Sequence, residues 1–526
     1  MSDPLTGADA TPELWAAEAA EPPPARGRRY RYIAWAGAGA LALSGLLASI
    51  VLLAPTSGHR ANGCTPSDGG ASDCAAAPGD GQGAGAPVGS LVPSASRSAS
   101  AAPSRTAAAG APPGVALPPG VFTDLASAPV GGFVSVYGID SATASWPVVQ
   151  HGNGRTVVRV PDAAPALTIG GRSIPVQVHA GRVITVGSGD EAGLRAAISG
   201  LRPGDAVYLH AGSYSGKYDP NGWNESNFVI WTQGSAAQPI ALAAYPGETV
   251  TFTSTSERPN FYLGQSGGAG RAAYLTIAGF NLRARGECVY GGGNTATSDS
   301  PESGGSYVRV VGNTCTLTDD VFNAQSGMFA VQGDGWRILG NTFVNSPARV
   351  IYNLCHALYI QNGADDVEVA YNVMRNLRMG HVIQVHQDGT PMLYADIRIH
   401  DNLFEGAQPS DMRGINVANV DDASTVVIEN NTLRNLGQDF SGIAIYRGHV
   451  TIRNNLMYRI MAPAVDLNSS GYGGARTVTA SGNRFETVNN YPAVSAANMN
   501  EITLSGNSYC GSAKLLTQDP GGTACP

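Results

Sequence analysis

From about residue 275 to the C-terminus, short runs of alternating apolar and polar residues recur. Most of them close on an asparagine with an apolar side chain two positions later. Alternation with period two predicts half-buried β-strands. The asparagines are Asn281, Asn313, Asn341, Asn372, Asn402, Asn431, Asn455, Asn483 and Asn507, spaced 24 to 32 residues apart. The first, in Gly279-Phe280-Asn281-Leu282, is the least regular of the set. A fixed period of this length is the mark of a solenoid, each period one coil that buries its apolar face only against its neighbours. Leucine-rich repeats share the length but not the leucine pattern. The expected fold is all-β, a right-handed parallel β-helix over residues 187–526. Its asparagines are expected in the left-handed backbone of tight turns, their side chains bonded along the axis.

Each coil carries a second alternating strand, and these align as Gly327–Gln332, His356–Gln361, His381–His386, Arg413–Ala418 and Ser441–Tyr446. Apolar residues at the third and fifth positions (358 and 360, 383 and 385, 415 and 417) are expected inside. The outward positions then form two stacks, Ala330, Tyr359, Gln384, Asn416 and Gln332, Gln361, His386, Ala418, with Tyr446 at the end. His356, His381 and Arg413 have inward parity and reach the surface only if the regular strand begins just after them. Coils about 4.8 Å apart make this wall roughly 10–14 Å across, the scale of two or three sugar units. Three of the nine histidines fall in two adjacent strands of it. A solvated sheet face would also accept His, Gln and Tyr.

Before the repeat, residues 121–186 hold short strands between Gly-rich turns, Phe133–Tyr137, Thr156–Val160 and Ile174–Val178 among them. An amphipathic helix is expected over Leu194–Ile198, followed by Arg202-Pro203-Gly204-Asp205 and the strand Ala206–Leu209. Residues 55–120 are mostly Ala, Gly, Pro and Ser with no aromatic residue, so they cannot bury enough surface to order themselves and read as a stalk. Ile33–Ala54 is an uncharged stretch of 22 residues, long enough to span a bilayer. The arginines at 26, 28, 29 and 31 place residues 1–32 in the cytoplasm and the rest outside. A cleaved signal peptide is the rival reading of that stretch. The expected location is the cell membrane, single-pass, with the β-helix extracellular and monomeric.

Composition supports this picture. Glycine and proline number 67 and 33 against 14% charged residues, which favours a turn-rich β architecture. A net charge of −8 gives no basic footprint for nucleic acid. Lysine occurs only at 217 and 514, which removes it from most candidate sites. All seven cysteines fall on the exported side, where disulfides persist. Cys64–Cys74 and Cys510–Cys525 are the expected pairs, with Cys288–Cys315 next and Cys355 left over. No CxxC pair suggests thiolate zinc.

Residues 121–186 resemble the small immunoglobulin-like modules that precede some secreted β-helices. The helix and the Pro-Gly-Asp strand resemble the N-terminal cap of pectate lyase-like polysaccharide lyases, whose open edge must be covered. Tyr352–Ile360 is similar to the HxxY-type segments of β-helix proteins acting on polysaccharides. The resemblance implies a lyase working by β-elimination on a uronate glycan, or an epimerase. Arg413 would neutralise the carboxylate, His356, His381 or His386 would serve as base, and Tyr359 as acid. Gln361, Gln384, Asn416 and Tyr446 would bind substrate. Many such lyases use a lysine or arginine base, or calcium to neutralise the uronate. No lysine stands in this wall, and the acidic turns Asp365-Asp366 and Asp421-Asp422 could take calcium. A glycosidase would need paired carboxylates, for which Asp319, Asp320 and Asp334 are the only candidates. The alternative of another class is a non-catalytic glycan-binding or structural surface protein.

Overall fold

The computed structural model describes residues 120–215, 228–254, 259–264, 270–291, 304–318, 327–345, 356–377, 380–387, 391–406, 413–437, 441–468 and 474–525. The apolar stretch 33–54, the stalk, Cys64–Cys74, Cys355 and Asp319-Asp320 lie outside them. Among the described residues no helix is long and apolar enough to cross a membrane.

Three long parallel sheets run the length of the solenoid. Among the described residues the first has twelve strands, from Val183–Val186 to Ile502–Ser505. The second also has twelve, from Gly212–Tyr214 to Thr523–Ala524, and the third has ten, from Phe228–Val229 to Val494–Ser495. Every strand pairs with its counterpart one coil away, the arrangement of a parallel β-helix. The preference of parallel crossovers for a right-handed path gives the coil its hand. Inward residues stack in columns. Cys315, Phe343, Met374 and Phe404 are the apolar side chains two positions after successive asparagines, and they lie in register with no exposure. Each such burial stabilises by about 1.5–3 kcal/mol.

The helix Glu191–Ser199 starts on Asp190, whose side chain accepts the Gly193 N–H at 2.8 Å, and packs Leu194 into the core of the first coils. Its N-cap satisfies one of the four N–H groups a helix end leaves bare.

The asparagine repeat is a continuous ladder at the turn between the first and second sheets. The Oδ1 of Asn402 accepts both the N–H of Asn372 at 3.0 Å and its Nδ2 at 2.9 Å. Asn402 in turn donates N–H and Nδ2 to Oδ1 of Asn431, each at 3.0 Å. Its Nδ2 also reaches back to the Val369 carbonyl at 2.8 Å. The same pattern runs from Asn313 through Asn341, Asn372, Asn402, Asn431, Asn455 and Asn483 to Asn507. It ends on Asp519, whose carboxylate takes the N–H and Nδ2 of Asn507 and the Tyr509 hydroxyl at 2.7 Å.

Two expectations need correction. The left-handed residue is not the asparagine but the one before it: Gly312, Gly340, Tyr371, Asp401, Asn430, Asn454, Gly482 and Gly506 all have φ between 54° and 63°. Asn281 is also not a rung. It pairs with Thr314, one position off, and Phe280 occupies the ladder position, its N–H bonded to Asn313 Oδ1 at 3.0 Å. The left-handed residue there is Gly279, in line with Gly312.

The strands from Phe122 to His179 form a four-stranded antiparallel sheet and two two-stranded ones. They share an apolar cluster with the first sheet of the solenoid. That cluster includes Tyr208, Ala243, Ala278, Val311, Leu339 and Ala370 from successive coils. Phe122 stacks between Tyr137 at 4.8 Å and Tyr371 at 5.0 Å. A Cβ on Gly312 would strike Tyr137, and one on Gly340 would strike Phe122. Glycine at these two turns therefore serves both the left-handed backbone and the close approach of the module. Arg309 reaches from the solenoid to the Asp124 and Thr123 carbonyls at 3.1 and 2.6 Å. Burial pushes the Asp124 carboxyl up to about 6 and Arg309 down to about 10.

Both disulfides expected in the described part are present, Cys288–Cys315 and Cys510–Cys525. The first ties neighbouring coils across the core, and the second ties the last strand to the final coil.

Candidate functional site

The aligned strands fall in the third sheet with the expected register. Ala330 pairs with Tyr359, Tyr359 with Gln384, and Gln384 with Asn416. In the neighbouring column His386 pairs with Ala418. Leu358, Ile360, Ile383, Val385, Ile415 and Val417 are all buried in the core, as the alternation requires.

The two histidines of inward parity behave differently, and the reason is local. Ala357 and Leu358 are both core residues, as are Val382 and Ile383, so alternation breaks at that point in each strand. The break turns His356 to the side of Tyr359, with ring centroids 5.3 Å apart. The His381 ring stacks on His356 at 6.0 Å with 13° between planes. His356 Nδ1 lies 3.0 Å from the His381 carbonyl and 3.2 Å from its N–H, so the tautomer decides which of the two it engages.

Tyr359 and His386 form the second contact of the cluster, phenol oxygen to Nδ1 at 3.1 Å. The backbone of His386 is held from below by Tyr394, fully buried, whose hydroxyl donates to the His386 carbonyl at 2.7 Å. Four of the five residues expected to carry chemistry, His356, Tyr359, His381 and His386, thus come together. The fifth, Arg413, opens the next strand opposite His381, and its side chain lies outside what the structure describes. Among the expected binding residues, Gln384 and Asn416 follow Tyr359 in its column. Gln361 follows Ile360 beside His386, and Tyr446 lies two coils beyond His386.

The wall is not an open face. His356, Tyr359, His386, Asn416 and Gln332 are buried, and His381, Gln361, Gln384 and Tyr446 are half-buried. Buried phenol, imidazole and amide groups must be bonded or matched to a ligand, since bare ones cost about 1–3 kcal/mol each.

The column continues past the expected residues. Tyr290 pairs with Ala330 and Tyr262 with Tyr290, their rings stacked at 5.4 Å. They lie before the first strand of the sequence alignment. Their strands are two residues long, too short to show alternation by pattern. At the other end Ala444 leads to Asp466.

The acidic turns are already engaged. Arg337 grips both carboxylate oxygens of Asp366 at 2.8 and 2.9 Å, and Asp365 accepts the Ala395 N–H at 2.7 Å. Asp422 holds Arg447 at 2.8 Å and the Ala475 N–H at 3.0 Å, and Asp421 caps the Ala423 N–H. Asp334 accepts the N–H of Asp365. Among the described residues no group of three or more His, Cys, Asp or Glu side chains could hold a metal. Guanidinium and backbone N–H groups thus already engage carboxylate oxygens at each of the turns expected to take calcium.

No protein-family model and no curated protein matches the chain. Solved structures do. An alginate lyase from Paenibacillus sp. str. FPU-7 aligns over 65% of this chain and 98% of its own, with 14% identity and a TM-score of 0.33. A mannuronic acid specific polysaccharide family 6 lyase from human gut microbiota covers 63% of this chain and 87% of its own, at 14% identity and 0.36. The surface protein and adhesin PfbA of Streptococcus pneumoniae covers 65% and 97%, at 11% identity and 0.39. A lyase and an adhesin thus stand side by side in the comparison, and function has to be argued from the side chains.

Proposed function

We propose that the protein acts on a uronate-containing polysaccharide by β-elimination, or by epimerisation with the same groups, at the Tyr359–His386 pair. The observation that carries the reading is the hydrogen bond between these two side chains, set beside the stacked His356 and His381. Elimination needs a base for the proton next to the carboxylate and an acid for the leaving oxygen. A neutral imidazole is available as base near pH 7, and the phenol next to it can return a proton to the leaving oxygen. Arg413 would neutralise the carboxylate. Gln361, Gln384, Asn416 and Tyr446 would bind the sugars to either side. The apolar stretch 33–54 and its arginines support a tether at the cell surface, with the solenoid outside.

Binding without chemistry is the second reading. It is favoured by the internal bonds that already engage His356 and His386. Incubating the full chain with polymannuronate, polyguluronate and polygalacturonate tests both. The lyase reading expects new ultraviolet absorbance from unsaturated uronate ends, lost in Tyr359→Phe and His386→Ala. Epimerisation would instead change the uronate composition without new ends. If neither product forms while binding is measurable and unchanged by His356→Ala, the enzyme reading is wrong.

A further inference from the structure

We propose that Gln332 and Tyr290 form a sugar-hydroxyl subsite on the N-terminal side of the Tyr359–His386 pair, matched by Asn416 on the other side. The glycan then lies along the solenoid axis. This rests on the polysaccharide reading of the same face.

Two acceptors lead to it. The Oε1 of Gln332 and the Oδ1 of Asn416 are shut off from solvent and have no hydrogen-bond partner among the described residues. Both residues are at least nine-tenths buried, with 3% and 4% exposure. Tyr290 pairs with Ala330 one coil away, two residues before Gln332. Burial keeps the Tyr290 phenol protonated, so it can donate as well as accept.

The register places these groups in two adjacent columns of one sheet. Tyr290, Ala330, Tyr359, Gln384 and Asn416 are successive members of the outer column, and Gln332 stands two residues after Ala330 in its strand. Three coil steps, about 14 Å, separate the coil of Gln332 from that of Asn416. The Tyr359–His386 pair bridges the two coils between them.

The chemistry of the acceptors restricts what fits. A bare buried carbonyl oxygen is a cost that native structures rarely leave unmet. A sugar hydroxyl meets it by donating. An ionised carboxylate accepts only, and would be repelled. Gln332 and Asn416 therefore take hydroxyl edges of the flanking sugars, and the uronate that loses its proton belongs between them.

The test compares binding of mannuronate and galacturonate di- and tetrasaccharides to the full chain by titration calorimetry, for the wild type, Gln332→Met and Tyr290→Phe. Methionine fills the glutamine's space without the bare acceptor, so Gln332→Met should fold with unchanged or raised thermal stability. Its tetrasaccharide affinity should fall about tenfold, with the disaccharide little affected. Tyr290→Phe should weaken the tetrasaccharide in the same sense. If both variants bind every length as the wild type does, the subsite is overturned and the proposed function stands. If Gln332→Met is destabilised and loses di- and tetrasaccharide equally, the glutamine is structural and the subsite is again overturned. A wild type that binds no uronate oligosaccharide overturns the proposed function together with the subsite.

Discussion

Asn402→Ala and Asn281→Ala separate a rung of the ladder from an asparagine that merely looks like one. In the folded chain Asn402 accepts the N–H and Nδ2 of Asn372, and donates to Oδ1 of Asn431 and to the Val369 carbonyl. Alanine strands the Asn372 N–H inside the turn, a cost of about 1–3 kcal/mol. The Nδ2 of Asn372 keeps the Ile338 carbonyl, and Oδ1 of Asn431 keeps the Asn402 N–H, so those losses are partial. The missing amide also leaves a void against the core, and the whole change should cost about 3 kcal/mol. Asn281 is half-buried, lies outside the ladder and should cost within about 0.5 kcal/mol. Coils contact only their neighbours, so the defect is local. Hydrogen exchange should show faster opening around the Asn372 and Asn431 turns, and denaturant unfolding should report the lost stability. Equal effects of the two substitutions would refute the ladder as a source of stability.

Gly340→Ala and Gly506→Ala carry the same left-handed strain, about 1–2 kcal/mol, since both glycines have φ of 63°. Only at 340 does the new Cβ also meet Phe122, so Gly340→Ala should lower the melting temperature further and expose the module to protease. Equal shifts would show that the module does not need that approach. Replacing Cys288 and Cys315 together by alanine removes a closure of 27 residues and should cost about 3.5 kcal/mol, measured by denaturant unfolding. Asp124 has its folded pKa raised from 3.8 to about 6, so the folded state holds the proton more tightly. Its contribution is most favourable at low pH and is lost as pH rises through that window, about 3 kcal/mol in all. Asp124→Asn keeps the acceptor for the Leu125 and Ser135 N–H groups and should abolish this slope. Parallel stability profiles for wild type and variant between those pH values would count against the burial argument.

The sequence pattern reveals the solenoid because each coil repeats the same polar solution to the same turn. A buried amide that both accepts and donates is needed at every coil, and few side chains other than asparagine can do both. Asn281 misleads because Phe280 meets the first rung, Asn313, with its own backbone N–H, and the neighbouring asparagine stands one position further along, outside the ladder. The module's docking is not legible for the opposite reason. Its footprint on the solenoid runs from Tyr208 along alanine, valine and leucine at outward positions, and alternation alone assigns such positions to solvent.

The candidate site is half legible for a related reason. Parity correctly sends Tyr359, Gln384, His386 and Asn416 to one face, because the core residues between them are unambiguous. Parity alone would bury His356 and His381 in the core, and only the paired core residues Ala357-Leu358 and Val382-Ile383 turn them to the other side. An irregularity repeated in two adjacent coils costs the ladder between them regular pairing, and its return is that two imidazoles stack beside a phenol. Strain and broken alternation concentrate at functional positions, where a regular strand cannot aim the side chains. The same break explains why composition could not separate a solvated wall from a recessed one. Both contain His, Tyr, Gln and Asn, but only the recessed wall leaves carbonyl oxygens of Gln332 and Asn416 buried and unmatched. A solvated face would satisfy them with water at no cost. Their burial is the observation on which the proposed hydroxyl subsite rests.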